Sequence, residues 1–100
     1  MKIRFEDDAQ SEFDAAVNFY IQRDPDIATD FLIDYDKLAS QVLQFPHAGT
    51  PVGRDVRRVI FAGFPYQLIY RVEADDIVIY AVAHTSRRPS YWRTRIVRKG

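Results

Sequence analysis

The densest set of chemically capable side chains lies near the C-terminus. Between His84 and Arg95 stand Arg87, Arg88, Tyr91, Trp92, Arg93 and Arg95, four guanidiniums, a phenol and the only indole within twelve positions. A guanidinium grips phosphate or carboxylate with a planar fork of donors. Arg plus aromatic rings beside a sheet can hold single-stranded RNA by phosphate pairing and base stacking. In a metal-free ribonuclease an Arg stabilises charge developing on the phosphorus, and a Tyr or His moves the proton. The plainer reading is a solvated face or a site for an acidic protein partner, with Trp92 anchoring a short helix on the sheet. His84 reads first as a hydrogen-bonding residue closing a buried strand and second as a general base.

A second basic element is Arg57-Arg58. Adjacent strand residues point to opposite faces, so one faces solvent and the other pairs with helix acids or snorkels. Other chemistries lack their residues. The chain has no cysteine, no Gly-rich phosphate loop, no HExxH and no GxSxG elbow, and His47 and His84 stand apart. Neither a metal nor a cofactor is expected.

The elements that must position these residues follow from pattern. At 100 residues, 47% hydrophobic and 28% charged, the chain reads as one globular domain, 1–100. Its charge is neutral but divided. Residues 1–50 hold 4 Lys+Arg against 10 Asp+Glu, and residues 51–100 hold 10 against 4. The N-terminal residues show no signal-peptide pattern and no apolar run could span a bilayer, which predicts a cytoplasmic protein.

Ile3 to Phe5 predicts a short strand. Asp7 or Asp8 can cap a helix carrying Phe13, Ala16, Val17 and Tyr20, which Arg23-Asp24-Pro25 breaks. Asp26 can cap a second helix with the stripe Ala28, Phe31, Leu32, Tyr35, Leu38, Ala39, Val42 and Leu43. Residues 45–53 read as a Pro/Gly loop. Strands follow at Val56 to Phe61, Tyr66 to Val72 and Ile77 to Ala83, the last apolar at every position and so covered on both faces. Residues 73–76 form a four-residue turn, and Pro89 suits the first position of a short helix. The expected fold is α+β: an N-terminal strand, an antiparallel helical hairpin, a three-stranded antiparallel meander and a short basic C-terminal helix, with the hairpin on one side of an antiparallel sheet.

Together these residues resemble the RelE/ParE superfamily of small bacterial toxins. The resemblance runs, in order, through Ala28…Phe31-Leu32, Phe45-Pro46…Gly49…Pro51, Arg57-Arg58, Phe64-Pro65-Tyr66…Ile69-Tyr70-Arg71, Ile77…Tyr80 to His84, and Arg87…Pro89…Tyr91-Trp92…Arg95. It implies a toxin of a type II toxin–antitoxin system, associated with plasmid stabilisation and growth inhibition. It also implies a cognate antitoxin whose extended or helical segment wraps the toxin, and a toxin dimer or toxin–antitoxin heterotetramer. RelE-like members cleave mRNA on the ribosome without a metal, whereas ParE-like members inhibit DNA gyrase and cleave nothing.

Placed on the RelE pattern, Arg87 falls on a catalytic arginine position, and Arg57 and Arg58 lie near the basic strand. A nuclease would use Arg87 to stabilise the phosphate, Arg58 or Arg57 to orient it, and Tyr91 or His84 to move protons. Gln67, however, stands where such nucleases carry another arginine. The late tyrosine of the pattern falls nearest Arg93, two residues from Tyr91. These departures and the neutral charge lean toward ParE-like action on gyrase. The alternatives are the RelE-like mRNA endonuclease and a catalytically inactive antitoxin-binding module. In every reading Arg57, Arg71, Arg88, Trp92, Arg93 and Arg95 are candidate partner-binding residues.

Overall fold

Pro25 cannot continue a helix from Asp24, and Asp24 makes the break serve both sides. It is extended (φ −168°, ψ 116°), its N–H donates to the Tyr20 carbonyl at 2.8 Å, and its carboxylate accepts from Asp26 N–H at 2.9 Å. One residue thus ends α1 (Asp7–Arg23) and caps α2 (Pro25–Gln44). The cap is Asp24 rather than Asp26, because the residue before a Pro at the first helical position is the one left extended. Likewise α1 is capped by Glu6, whose carboxylate accepts from Asp8 N–H at 3.0 Å, rather than by Asp7 or Asp8.

The protein is described here from a computed structural model, which covers the backbone of residues 1–99 and the side chains of residues 1–97. Beyond the helical hairpin, the elements are β1 (Lys2–Phe5), β2 (Thr50–Gly53), β3 (Val56–Ile60), β4 (Tyr66–Glu73), β5 (Asp76–His84) and α3 (Arg93–Lys99). They form one five-stranded sheet in the order β1-β5-β4-β3-β2. The meander β3-β4-β5 is antiparallel, as expected, but β1 pairs parallel to β5, so the sheet is mixed. Part of the expected loop is also a strand: Thr50–Gly53 pairs antiparallel with β3, Thr50 opposite Arg58. Pro51 is tolerated because β2 is an edge, where a missing donor breaks no ladder. The β4–β5 turn is tighter than expected. Glu73 pairs with Asp76, leaving Ala74 and Asp75 between them, with Ala74 at φ 52°.

Strand β5 is buried on both faces. Ile77, Ile79 and Val82 pack toward the hairpin with Ala16, Phe31, Leu38 and Val42. Ala81 packs on the opposite face with Val56, Ile69 and Trp92. The expectation of helices on one side only is therefore incomplete, since the C-terminal segment covers the other. A bulge opposite Ile69 and Tyr70 sets two residues, Tyr80 and Ala81, between the helix-facing Ile79 and Val82. No helix among the described residues is long and apolar enough to cross a membrane.

Phe31 is fully buried and joins the layers. It stacks on Phe61 at 5.0 Å and meets Phe13, Tyr20, Phe64 and Tyr66 within 6 Å. Leu32 and Leu43, also expected on the stripe, are exposed, because the hairpin's sheet-facing arc is narrower than the apolar pattern. Phe31→Ala is expected to cost about 3–5 kcal/mol, a large share of a small domain's stability. Leu32→Ala is expected to cost about 0.5 kcal/mol. Urea unfolding midpoints of the two variants check the contrast.

Candidate functional site

The tail leaves β5 through a sequence of turns before any helix forms. Arg87 N–H donates to the His84 carbonyl at 2.9 Å, Ser90 sits at φ 68°, and Arg93 N–H reaches the Ser90 carbonyl at 3.1 Å. Pro89 therefore lies in the turn, and α3 starts at Arg93, because the left-handed Ser90 cannot belong to a right-handed helix. Trp92 is buried on Val56, Ile69 and Ala81, the anchor role expected of it. His84 accepts from Ser86 N–H at 3.0 Å through Nδ1 and meets the Tyr66 ring edge-on at 5.1 Å. Its imidazole thus organises the strand end.

The tail's polar groups converge on a residue the sequence reading passed over, Glu12 of α1. Its Oε1 accepts from Arg95 Nη1 at 2.8 Å and from Val82 N–H at 3.0 Å. Its Oε2 accepts from the Tyr91 hydroxyl at 2.6 Å and from Arg95 Nη2 at 3.0 Å. Arg95 also donates to the Tyr80 carbonyl at 2.9 Å and lies 3.6 Å from Asp8. Side-chain exposure is only 17% for Glu12 and 12% for Arg95, so this bidentate pair is far less screened than a surface one. Arg87 is looser. It is 53% exposed, 3.9 Å from Glu12 Oε2, and its guanidinium lies 3.9 Å over the Tyr91 ring.

This arrangement sets the chemistry of Tyr91. Burial, then the hydrogen bond and charge of Glu12, push its hydroxyl well above the ordinary phenol range, outweighing Arg95 and Arg87. Such a phenol stays protonated near neutrality and donates to Glu12, which does not suit a general base. Arg95 is held charged: burial opposes it, but Glu12, Tyr91 and Asp8 prevail. A charged residue at a stripe position was the available signal for Glu12. It lies three after Ala9 and four before Ala16, both buried.

Arg57 and Arg58 point to opposite faces. Arg57 lies on the hairpin side and donates to the Gly49 carbonyl at 2.8 Å, so it holds a loop rather than a helix acid. Beside it the Tyr70 hydroxyl donates to the Pro46 carbonyl at 2.7 Å. A Cβ at Gly49 would stand 2.6 Å from that hydroxyl oxygen and 3.0 Å from the Arg58 carbonyl oxygen, so the loop closes only on glycine. Arg58 lies on the Trp92 side with its Nε buried and unpartnered. Arg71 pairs with Glu73 at 2.9 Å, and Glu73 also accepts from the Tyr80 hydroxyl and lies 3.7 Å from Arg4. Among the described residues Arg54, Arg58 and Arg88 make no ion pair.

A cleft of about 510 Å³ opens between the β2–β3 turn and α3. Its lining includes Val56, Trp92, Ile96 and Val97 among apolar residues, with Arg54 and Arg93 among the polar ones. Val97 is 77% exposed. The structure thus brings Arg87, Tyr91 and Arg95 together, places Trp92 and Arg93 at the cleft, and separates both sets from Arg57. No group of three metal-ligating side chains occurs among the described residues.

The family model described as ParE toxin of type II toxin-antitoxin system, parDE, matches residues 3–89. Among solved structures, a chain of the chromosomal ParDE TA system from P. aeruginosa is similar in fold, with a TM-score of 0.72 at 22% identity. The likeness covers 84% of this chain and 95% of that one. No curated protein matches.

Glu73 supplies a pH test. Burial alone would raise its carboxyl, but hydrogen bonds from Tyr80 and Arg71 and the charges of Arg71 and Arg4 hold it below the ordinary 4.5. A lowered folded value means stability that is complete above the unfolded value and lost as pH falls through the folded one. Glu73→Gln should cost about 1–3 kcal/mol at neutral pH. Its deficit against the parent should shrink as pH falls below about 4. Denaturant unfolding across that range measures it, and a pH-independent deficit would exclude the carboxylate as the cause.

Proposed function

This chain belongs to the ParE toxin family of type II toxin–antitoxin systems, and on that footing we propose that it arrests bacterial growth by binding DNA gyrase and is neutralised by a cognate antitoxin. The observation that carries this reading over RNA cleavage is the engagement of Tyr91 and Arg95 by Glu12. The tail's phenol is a raised-pKa donor, the charged Arg95 guanidinium is already paired with a carboxylate, and His84 is turned onto Ser86. Gln67 adds no cation where a nuclease would want one. A toxin that works by binding needs no group poised to move a proton. Of the tail-half cations without an ion pair among the described residues, Arg54, Arg88 and Arg93 are exposed and remain available to acidic protein surface.

The antitoxin reading uses the same face. The apolar lining of the α3 cleft suits an aliphatic or aromatic anchor, and Arg54 and Arg93 suit flanking acids. Reversing both cations (Arg54→Glu with Arg93→Glu) should weaken antitoxin binding at least tenfold, about 1.4 kcal/mol. The loss should fall mainly on the association rate, together with its salt dependence. Unchanged rates would move the antitoxin to another surface.

The function is tested by tightly controlled expression without antitoxin. Growth arrest with SOS induction and intact mRNA is expected, along with inhibition of purified gyrase. Ribosome-dependent mRNA cleavage that persists in chelator would overturn the reading in favour of a RelE-like nuclease. Tight antitoxin binding with no arrest would leave an inactive antitoxin-binding module.

A further inference from the structure

Glu12 is the least exposed acid of α1; Asp7, Asp8 and Asp14 all face solvent. What it meets is a complete set of oxyanion donors. The Arg95 fork supplies two N–H groups at 2.8 and 3.0 Å, Tyr91 a hydroxyl at 2.6 Å, and Val82 a backbone N–H at 3.0 Å. Arg87 adds a second guanidinium at 3.9 Å. The backbone donor is free for a topological reason. Strand β1 ends at Phe5, opposite Ile79, so β5 runs on past it with an unpaired edge. A fork, a hydroxyl, a free amide and a nearby second cation are how proteins bind phosphate, and here a carboxylate of the same chain lies among them.

We propose that Glu12 is a specificity-determining residue: it fills, as an internal anion, a site whose donors would otherwise take a phosphate-type oxyanion, and so closes this part of the basic tail to nucleic-acid phosphates. Exposed cations outside its reach, Arg54, Arg88 and Arg93, stay open to protein carboxylates. This role gives the protein-binding reading a physical cause and rests on that reading for its biological sense. Removing the carboxylate leaves Arg87 and Arg95 without their shared counter-anion, with only Asp8 near Arg95, at 3.6 Å. It also vacates space against the Val82 amide.

The test compares the parent with Glu12→Ala, which opens the space, and Glu12→Gln, which keeps the space filled without the charge. Each is titrated with inorganic phosphate at constant ionic strength, following the Val82 amide and the Arg95 side-chain resonances by NMR. A second titration uses a short fluorescent single-stranded RNA. In Glu12→Ala the Val82 and Arg95 signals should shift and saturate with phosphate, and the RNA should bind about tenfold more tightly than to the parent. The parent and Glu12→Gln should show neither response. RNA binding without phosphate saturation would assign the gain to general surface charge and overturn the built site. A folded Glu12→Ala that ignores phosphate, or a parent that saturates equally, would also overturn it. If Glu12→Ala does not fold in plain buffer, recovery of folding by phosphate but not by chloride is the supporting result, and no recovery is the contrary one. The two readings fail separately: a parent that cleaves mRNA removes gyrase binding as the function, whereas a variant indifferent to phosphate removes only the role of Glu12.

Discussion

Strand β5 has no polar face to offer water, and the architecture follows from covering it. From Ile77 to Ala83 every residue is buried. One face is met by the aromatic underside of the α1–α2 hairpin and the other by Trp92 with Val56 and Ile69. Its two edges must be satisfied as well, because a buried backbone N–H without a partner is costly. β4 covers one edge along its whole length, but β1 covers only the first part of the other. Glu12 reaches Val82 N–H on the uncovered part, and with the same carboxylate it draws in Tyr91 and Arg95. A requirement of the core thus determines how the basic tail is held.

The division of charge along the chain is only partly neutralised within the fold. Among the described residues, Glu12 and Asp8 are the acids of the N-terminal half that meet tail cations. Arg71 is paired by Glu73 of its own half, and Arg4 crosses to Glu73 and Asp76. Asp14, Asp30 and Asp36 remain exposed on the hairpin, while Arg93 is exposed on the opposite layer. A molecule of zero net charge therefore carries a field across its thickness. An acidic partner is attracted to the α3 side and repelled from the hairpin, so electrostatics orients the encounter even though it adds little net attraction at long range.

Much of this was legible in order and type. The unbroken apolar run of β5 announced cover on both faces, Pro25 announced the hairpin, and the Arg and aromatic content of residues 84–95 announced the basic face. What the sequence did not disclose depends on partners distant along the chain. Thr50–Gly53 is a strand only because β3 folds back to bond it, and its Pro and Gly content argued locally for a loop. The start of α3 moved from Pro89 to Arg93 because Ser90 takes a left-handed turn that no propensity specifies. Leu32 and Leu43 continue a helical stripe that is wider than the sheet beneath it. Glu12 looked like one acid among many; its meaning appears only when Val82, Tyr91 and Arg95, at least 70 residues away, close around it.

Fold likeness and local chemistry carry different parts of the functional reading. A structural match at 22% identity speaks for the scaffold, and such a scaffold can present either a cleaving or a binding surface. The family match ends at residue 89, whereas Tyr91 and Arg95, which set the state of the tail, come after it. What distinguishes the two surfaces is whether a phosphate can reach an uncompensated guanidinium beside a group able to exchange a proton. In this chain the groups nearest that description already share one carboxylate, in a setting where Coulomb attraction is poorly screened and the hydrogen-bond geometry is bidentate. An incoming phosphodiester would have to displace Glu12 and leave it partly buried without its partners, a penalty of several kcal/mol before any binding begins. At the α3 cleft, which Asp55 also lines, Arg54 makes no ion pair among the described residues. Where α1 sets a single side chain thus decides which of the tail's cations are already paired within the fold.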